Sequence, residues 1–91
     1  MIICKVIGHV WATKKEPRLE GLKLMVVQEE GSEKQNHVAA DVVGAGIGEK
    51  VLVVSGSTAR SIFRERMDGQ VPTDMAIVGI IDSLEIDPTV Q

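Results

Sequence analysis

Apolar residues fall in short stretches divided by glycine, proline or charge, and several stretches alternate with polar residues, the pattern of strands buried on one face. The first, Met1 to Thr13, sets Ile3, Lys5, Ile7 and His9 on one face and Cys4, Val6, Gly8 and Val10 on the other. Gly8 in its middle predicts a sharp bend or a close backbone approach. Residues Lys14 to Gly21 are polar, contain Pro17 and read as a loop. A second strand is predicted over Gly21 to Glu30, a polar turn over Gly31 to Asn36, and a third strand over His37 to Val43. The glycine-dense run Gly44-Ala45-Gly46-Ile47-Gly48 makes a tight connection to a fourth, apolar strand, Lys50 to Val54. Ser55-Gly56-Ser57 opens a short helix through Arg66 or Met67, with either serine as its N-cap. Asp68-Gly69 marks a turn, Val71-Pro72 an extended lead-in, and Met75 to Ile86 the fifth strand, with Gly79 in its middle. The tail after Asp87 reads as a loose end.

Five strands with one short helix after the fourth predict an all-β fold that can be closed as a small barrel; a five-stranded OB-like barrel is one solution, which the order alone does not prove. The chain has 91 residues and shows no repeat, low-complexity segment or linker, so residues 1–91 form one domain. A domain of this size keeps much of its surface exposed. Yet 44% of its residues are hydrophobic, with one Trp, one Phe and a preponderance of Val, Ile and Ala. Burial against copies of itself is one way to satisfy that excess.

The net charge is −3, and the ten Lys and Arg are scattered. Nucleic-acid binding starts from clustered positive charge, so that footprint is missing. An OB-type nucleic-acid module would also need stacking aromatics, and Trp11 and Phe63 are the only two. Cys4 has no partner for an internal disulfide and fits a reducing cytosol, read as a small buried hydrophobe of the first strand. Charge follows the short N-terminal apolar stretch instead of preceding it, so the start is not read as a signal peptide. No segment reaches the length of a membrane span. A soluble, cytoplasmic protein is expected.

Candidate chemistry is sparse. GAGIGEK, Gly44 to Lys50, invites a phosphate-loop reading, but its glycines stand at the first, third and fifth positions and a strand follows, where a dinucleotide fingerprint needs the first, third and sixth and then a helix. A turn needing positive φ or close backbone approach is the better account. Asp41, Asp74 and Asp82 lie beside apolar stretches; a salt bridge to Arg60 or hydrogen bonds to turn amides explain them better than acid–base catalysis. His9 and His37 are too isolated for a zinc site and read as strand residues with satisfied rings. Ser57 in GSTAR lacks the second glycine of a nucleophile elbow. No catalytic residue, metal or cofactor is expected.

Taken together, KVIGHVWAT, GLKLMVVQ, DVVGAGIGEKVLVVSGSTAR and PTDMAIVGIID resemble the EutN/CcmL family of bacterial microcompartment vertex proteins. They cover most of residues 5 to 82, with departures in the loop after the second strand and between Arg60 and Pro72. The resemblance implies an OB-like five-stranded barrel assembling as a cyclic pentamer. Such pentamers fill the five-fold vertices of a polyhedral shell whose facets are separate hexameric shell proteins and which encloses metabolic enzymes. A narrow axial opening is compatible with it. Ethanolamine, propanediol, glycyl-radical and carboxysome types all fit, the carboxysome type being slightly disfavoured. With five backbones converging on an axis, the small residues Gly44, Ala45, Gly46, Gly56 and Ser57 are expected near it, and Arg60 is expected to tie one subunit to a neighbour's Asp41 or Asp82.

Overall fold

The computed structural model describes residues 1–12, 17–19, 21–31, 34–66 and 73–90. Its elements are β1 (Ile2–His9), β2 (Lys23–Glu29), β3 (Asn36–Asp41), β4 (Lys50–Ser55), α1 (Ser57–Arg66) and β5 (Met75–Ile80), with a single 3-10 turn at Pro17–Leu19. The strands close into a barrel in the order β1-β2-β3-β5-β4, with β4 returning to β1. All seams are antiparallel except β3–β5, which is parallel and pairs only Ala40 with Ala76 and Asp41 with Ile77. The predicted small closed barrel is therefore the observed fold.

Alternation along the strands fills the barrel. Cys4 and Val6 of β1, Met25 and Val27 of β2, Ala39 of β3, Val51 and Val53 of β4 and Ile77 of β5 pack together as its core. Cys4 is fully buried, as its place among apolar residues predicts. The register also explains how the β2–β3 stripe ends. Lys23 pairs with Asp41 at one end and Val27 with His37 at the other. Polar pairs thus stand where the interior meets water: Lys23 Nζ lies 3.4 Å from Asp41 Oδ2, and His37 Nε2 lies 2.6 Å from Glu29 Oε2.

A second core lies outside the barrel. Phe63 and Ala59 of α1 pack on Ala40, Ala76 and Val54. Ala40 and Ala76 face each other across the short parallel seam, and two methyl groups let the helix approach closely. A ten-residue helix is marginal alone, so this burial is what holds it. The helix in turn covers the seam with the fewest strand pairs.

Several predicted boundaries are corrected. β1 ends at His9 and not at Thr13, which lies outside the described residues; the Val10 amide still donates to the Leu24 carbonyl at 2.9 Å. Asn36 joins β3, opposite Gln28, and β3 stops at Asp41: the Val42 amide still reaches the Ile77 carbonyl at 3.5 Å, and the Asp41 carboxylate captures the amides of Val43 and Ala45. β5 stops at Ile80, well before Ile86. The Ile81 amide donates to the Lys50 carbonyl at 2.8 Å, but Lys50 is the first residue of β4, and before it the chain turns away at Gly48, whose φ is 95°. The ladder has nothing further to offer, and Asp82 to Val90 leave the barrel exposed. Near its end the tail carries a local turn, in which Asp87 Oδ1 accepts the Thr89 amide at 2.9 Å and its hydroxyl at 2.7 Å. These hydrogen bonds hold the Asp87 carboxyl below the ordinary carboxylate range. The predicted turn at Asp68-Gly69 and the lead-in at Val71-Pro72 lie outside the described residues.

Candidate functional site

The glycine-dense connection is a loop tied down at several points. Asp41 Oδ1 accepts the Val43 amide at 3.0 Å and Oδ2 the Ala45 amide at 2.8 Å. Lys23 Nζ donates to the Ala45 carbonyl at 2.6 Å, so one lysine bridges the Asp41 carboxylate and the loop backbone. Ala45 is fully buried and its methyl group plugs the barrel core. The Gly46 amide donates to Glu49 Oε1 at 2.7 Å, and the Gly48 amide to the Val6 carbonyl at 2.8 Å. Gly44 and Gly48 adopt φ of 82° and 95°, where a side chain is strained, which is the turn account of these glycines. The phosphate-loop reading fails for a second reason here. A phosphate cradle needs free amides, and those of Val43, Ala45, Gly46, Gly48 and Glu49 are already donated within the chain.

The predicted site residues fall into groups that the fold does not bring to one point. Gly44, Ala45 and Gly46 precede β4, and Asp82 follows β5 near Lys50. Gly56, Ser57 and Arg60 lie beyond the other end of β4, about 17 Å along the strand for its length. Asp41 and Ala45 are engaged inside their own subunit: the Asp41 side chain is 1% exposed and Ala45 has no exposed surface. The Ala45 methyl group and the Asp41 carboxylate therefore have no surface to offer a neighbour, while the Asp41 residue as a whole is half-buried. Asp41 instead does what the turn-amide reading describes. Gly46 has ordinary φ, and an added Cβ would meet only Glu49 Oε1 at 3.3 Å. Gly56 has φ of 71°, its amide donates to the Asp74 carbonyl at 2.7 Å, and its own carbonyl accepts the Arg60 amide at 3.2 Å. The N-cap position is therefore Gly56 and neither serine. Ser57, Arg60 and Asp82 are exposed.

The remaining candidate chemistry stays structural. His37 is partnered by Glu29, and His9 stacks on Trp11 with ring centroids 4.1 Å apart. Burial, reinforced by Glu29 and Glu30 nearby, pushes the Cys4 thiol up to about 11. Phe63 is buried, which leaves Trp11 as the exposed aromatic, and one ring does not make a base-stacking platform. Among the described residues no group of three metal-ligating side chains converges.

A glycine loop locked to a closed five-stranded barrel, with a short helix after the fourth strand, is the arrangement to compare with known proteins. Residues 1–82 match the family described as ethanolamine utilisation protein EutN/carboxysome. The chain belongs to this family. This EutN/CcmL chain is 46% identical over 90 residues to the carboxysome shell vertex protein CcmL of Synechocystis sp., spanning 94% of this chain and 87% of that one. The solved GrpN pentameric microcompartment shell protein from Rhodospirillum rubrum matches it with a TM-score of 0.80 at 38% identity, over 96% of this chain and 99% of that one. A pentameric shell protein from the RMM microcompartment matches with a TM-score of 0.85 at 34% identity, over 97% and 99%. Identity to the carboxysome relative exceeds identity to either of these, so similarity gives no ground for disfavouring the carboxysome type.

Several apolar residues are exposed without any motif that marks them. Trp11, Val38 and Ile47 are 84%, 50% and 66% exposed, and Leu84 and Ile86 stand out on the tail. One signal was available. In β3, Val38 and the buried Ala39 are consecutive, so an apolar residue occupies the outward parity.

Proposed function

We propose that this chain is a structural shell protein whose cyclic pentamers cap the vertices of a bacterial microcompartment, a polyhedral protein shell enclosing metabolic enzymes in the cytoplasm. The observation that carries the reading is the match of nearly the whole barrel to pentameric shell proteins at TM-scores of 0.80 and 0.85. A small domain with Trp11, Val38 and Ile47 exposed is also suited to self-association. The role needs geometry and not a reaction. A shell of hexagons closes only with five-fold defects, and a ring of five heterologous contacts supplies one. We read the chain as a non-enzyme without cofactor, with separate hexameric shell proteins as its neighbours.

Near the axis and subunit contacts we place the exposed parts of the glycine loop, with Gly44 and Gly46, and the segment Gly56 to Ser57. Arg60 and Asp82, both exposed, are candidates for a pair between neighbouring subunits. Native mass spectrometry of the unmodified chain at micromolar concentration tests the reading: five subunits are expected, and a monomer or dimer refutes it. Co-expression with a hexameric shell protein is expected to give closed shells only when this chain is present. Gly46→Leu probes the axis cleanly, because Gly46 has ordinary φ and a side-chain tip as its only close neighbour. A folded G46L that still forms the full oligomer would remove the steric argument for that position.

A further inference from the structure

The tail beyond β5 is an apolar strand segment without a sheet. Ser83 to Asp87 alternate polar and apolar residues, yet Leu84 and Ile86 are 47% and 78% exposed, and Val90 beyond them is 71% exposed. The turn that Asp87 builds through Thr89 gives the segment a defined end. The family match ends at Asp82, so the residues that follow lie beyond what defines the barrel.

The barrel carries a matching surface. A register shift between Val6 and Gly8 makes Ile7 the extra residue of a β-bulge, and Gly8 then pairs with Val26, which pairs with Val38. Inward parity belongs to Val6, Val27 and Ala39, so Gly8, Val26 and Val38 form an outward apolar row across β1, β2 and β3. Ile7 and Val38 on this surface are exposed. Gly8 has ordinary φ, and an added Cβ would meet Val26 at 3.6 Å, an unstrained contact; nothing inside the subunit demands glycine there. Beside the row, Lys5 faces Lys50 on β1 and β4, and Lys50 Nζ is taken up by Glu30 Oε1 of its own subunit at 3.2 Å, which leaves Lys5 as the basic group of this surface. The tail carries Asp82, Glu85 and Asp87 and no basic residue.

We propose that residues 82–90 are a strap that docks Leu84 and Ile86 on the Ile7–Val26–Val38 surface of a neighbouring copy, with its carboxylates toward that copy's Lys5. A second copy is the occupant because each chain presents both complementary halves, acidic-apolar and basic-apolar, and such a heterologous contact repeats around a ring. The inference rests on the pentameric reading above.

The test is Leu84→Ser with Ile86→Ser in the full chain, followed by native mass spectrometry across a dilution series and by circular dichroism. The expected result is a folded barrel whose oligomer dissociates at a concentration roughly tenfold higher or more, the effect of losing buried apolar contacts at an interface. A folded variant with unchanged dissociation overturns the strap, and so does an unfolded one, because the tail would then serve its own barrel. Co-expressed I86C and V38C chains treated with a short bismaleimide are expected to cross-link to each other; absence of that product also overturns it. If the unmodified chain is not pentameric, the vertex reading fails first, and the two failures are told apart.

Discussion

Asp41→Ala removes one side chain and releases the glycine loop. Its carboxylate is 1% exposed and accepts amides of Val43 at 3.0 Å and Ala45 at 2.8 Å, with Lys23 Nζ at 3.4 Å. The losses differ. Val43 is exposed, so its amide regains water and little is lost. Ala45 is fully buried, and its unpaired amide forfeits about 1–3 kcal/mol, with a bond to a charged acceptor at the upper end. Lys23 is 40% exposed, so its ion pair contributes about 0.2–1 kcal/mol after solvent screening. The expected destabilisation is about 2–4 kcal/mol, a large part of the roughly 5–15 kcal/mol that holds a domain together. Urea unfolding at one fixed protein concentration measures it, since an oligomer's midpoint moves with concentration. Asp41→Asn keeps one acceptor and is expected to fall between D41A and the unmodified chain. Lys34→Ala, at an exposed position, should change stability by less than about 0.5 kcal/mol. A D41A midpoint indistinguishable from that of K34A would refute the assignment of Asp41 as the residue that holds the loop.

Three further outcomes follow from the geometry. Gly56→Ala is expected to cost about 1–2 kcal/mol because φ is 71°, whereas Gly46→Ala should stay under about 0.5 kcal/mol; equal losses in urea unfolding would contradict this. Phe63→Ala should cost about 3–5 kcal/mol, because the ring is buried between α1 and the β3–β5 seam, and thermal unfolding followed by circular dichroism checks it. Cys4 titrates at about 11 in the fold against an ordinary 9.0, so the folded chain retains a proton that the unfolded chain releases. The stability this contributes is complete below pH 9 and is lost as pH rises through about 11. Subtracting the pH profile of Cys4→Ala isolates that slope, and parallel profiles would show that Cys4 does not contribute it.

The sequence by itself determined the five strands and the helix after the fourth, because those depend on residue parity and on where glycine and charge interrupt it, while closure into a barrel was implied by the family resemblance and not by parity. It also determined the family, since phrases such as GAGIGEKVLVV combine several local constraints within a few positions. Strand ends were another matter. The sequence extended the fifth strand to Ile86 on its apolar content, but a strand ends where its partner ends, and β4 begins only at Lys50. Asp41 illustrates the same limit: its spacing allowed either an ion pair with Arg60 or turn amides, and only folding brought Lys23 and the Ala45 amide to it. Nor does any local pattern tell that Ala45 enters the core while Ile47, two residues on, stays exposed. Parity is a property of neighbours in the chain, whereas burial, hydrogen-bond competition and the surface left for another subunit depend on segments that meet only when the barrel closes.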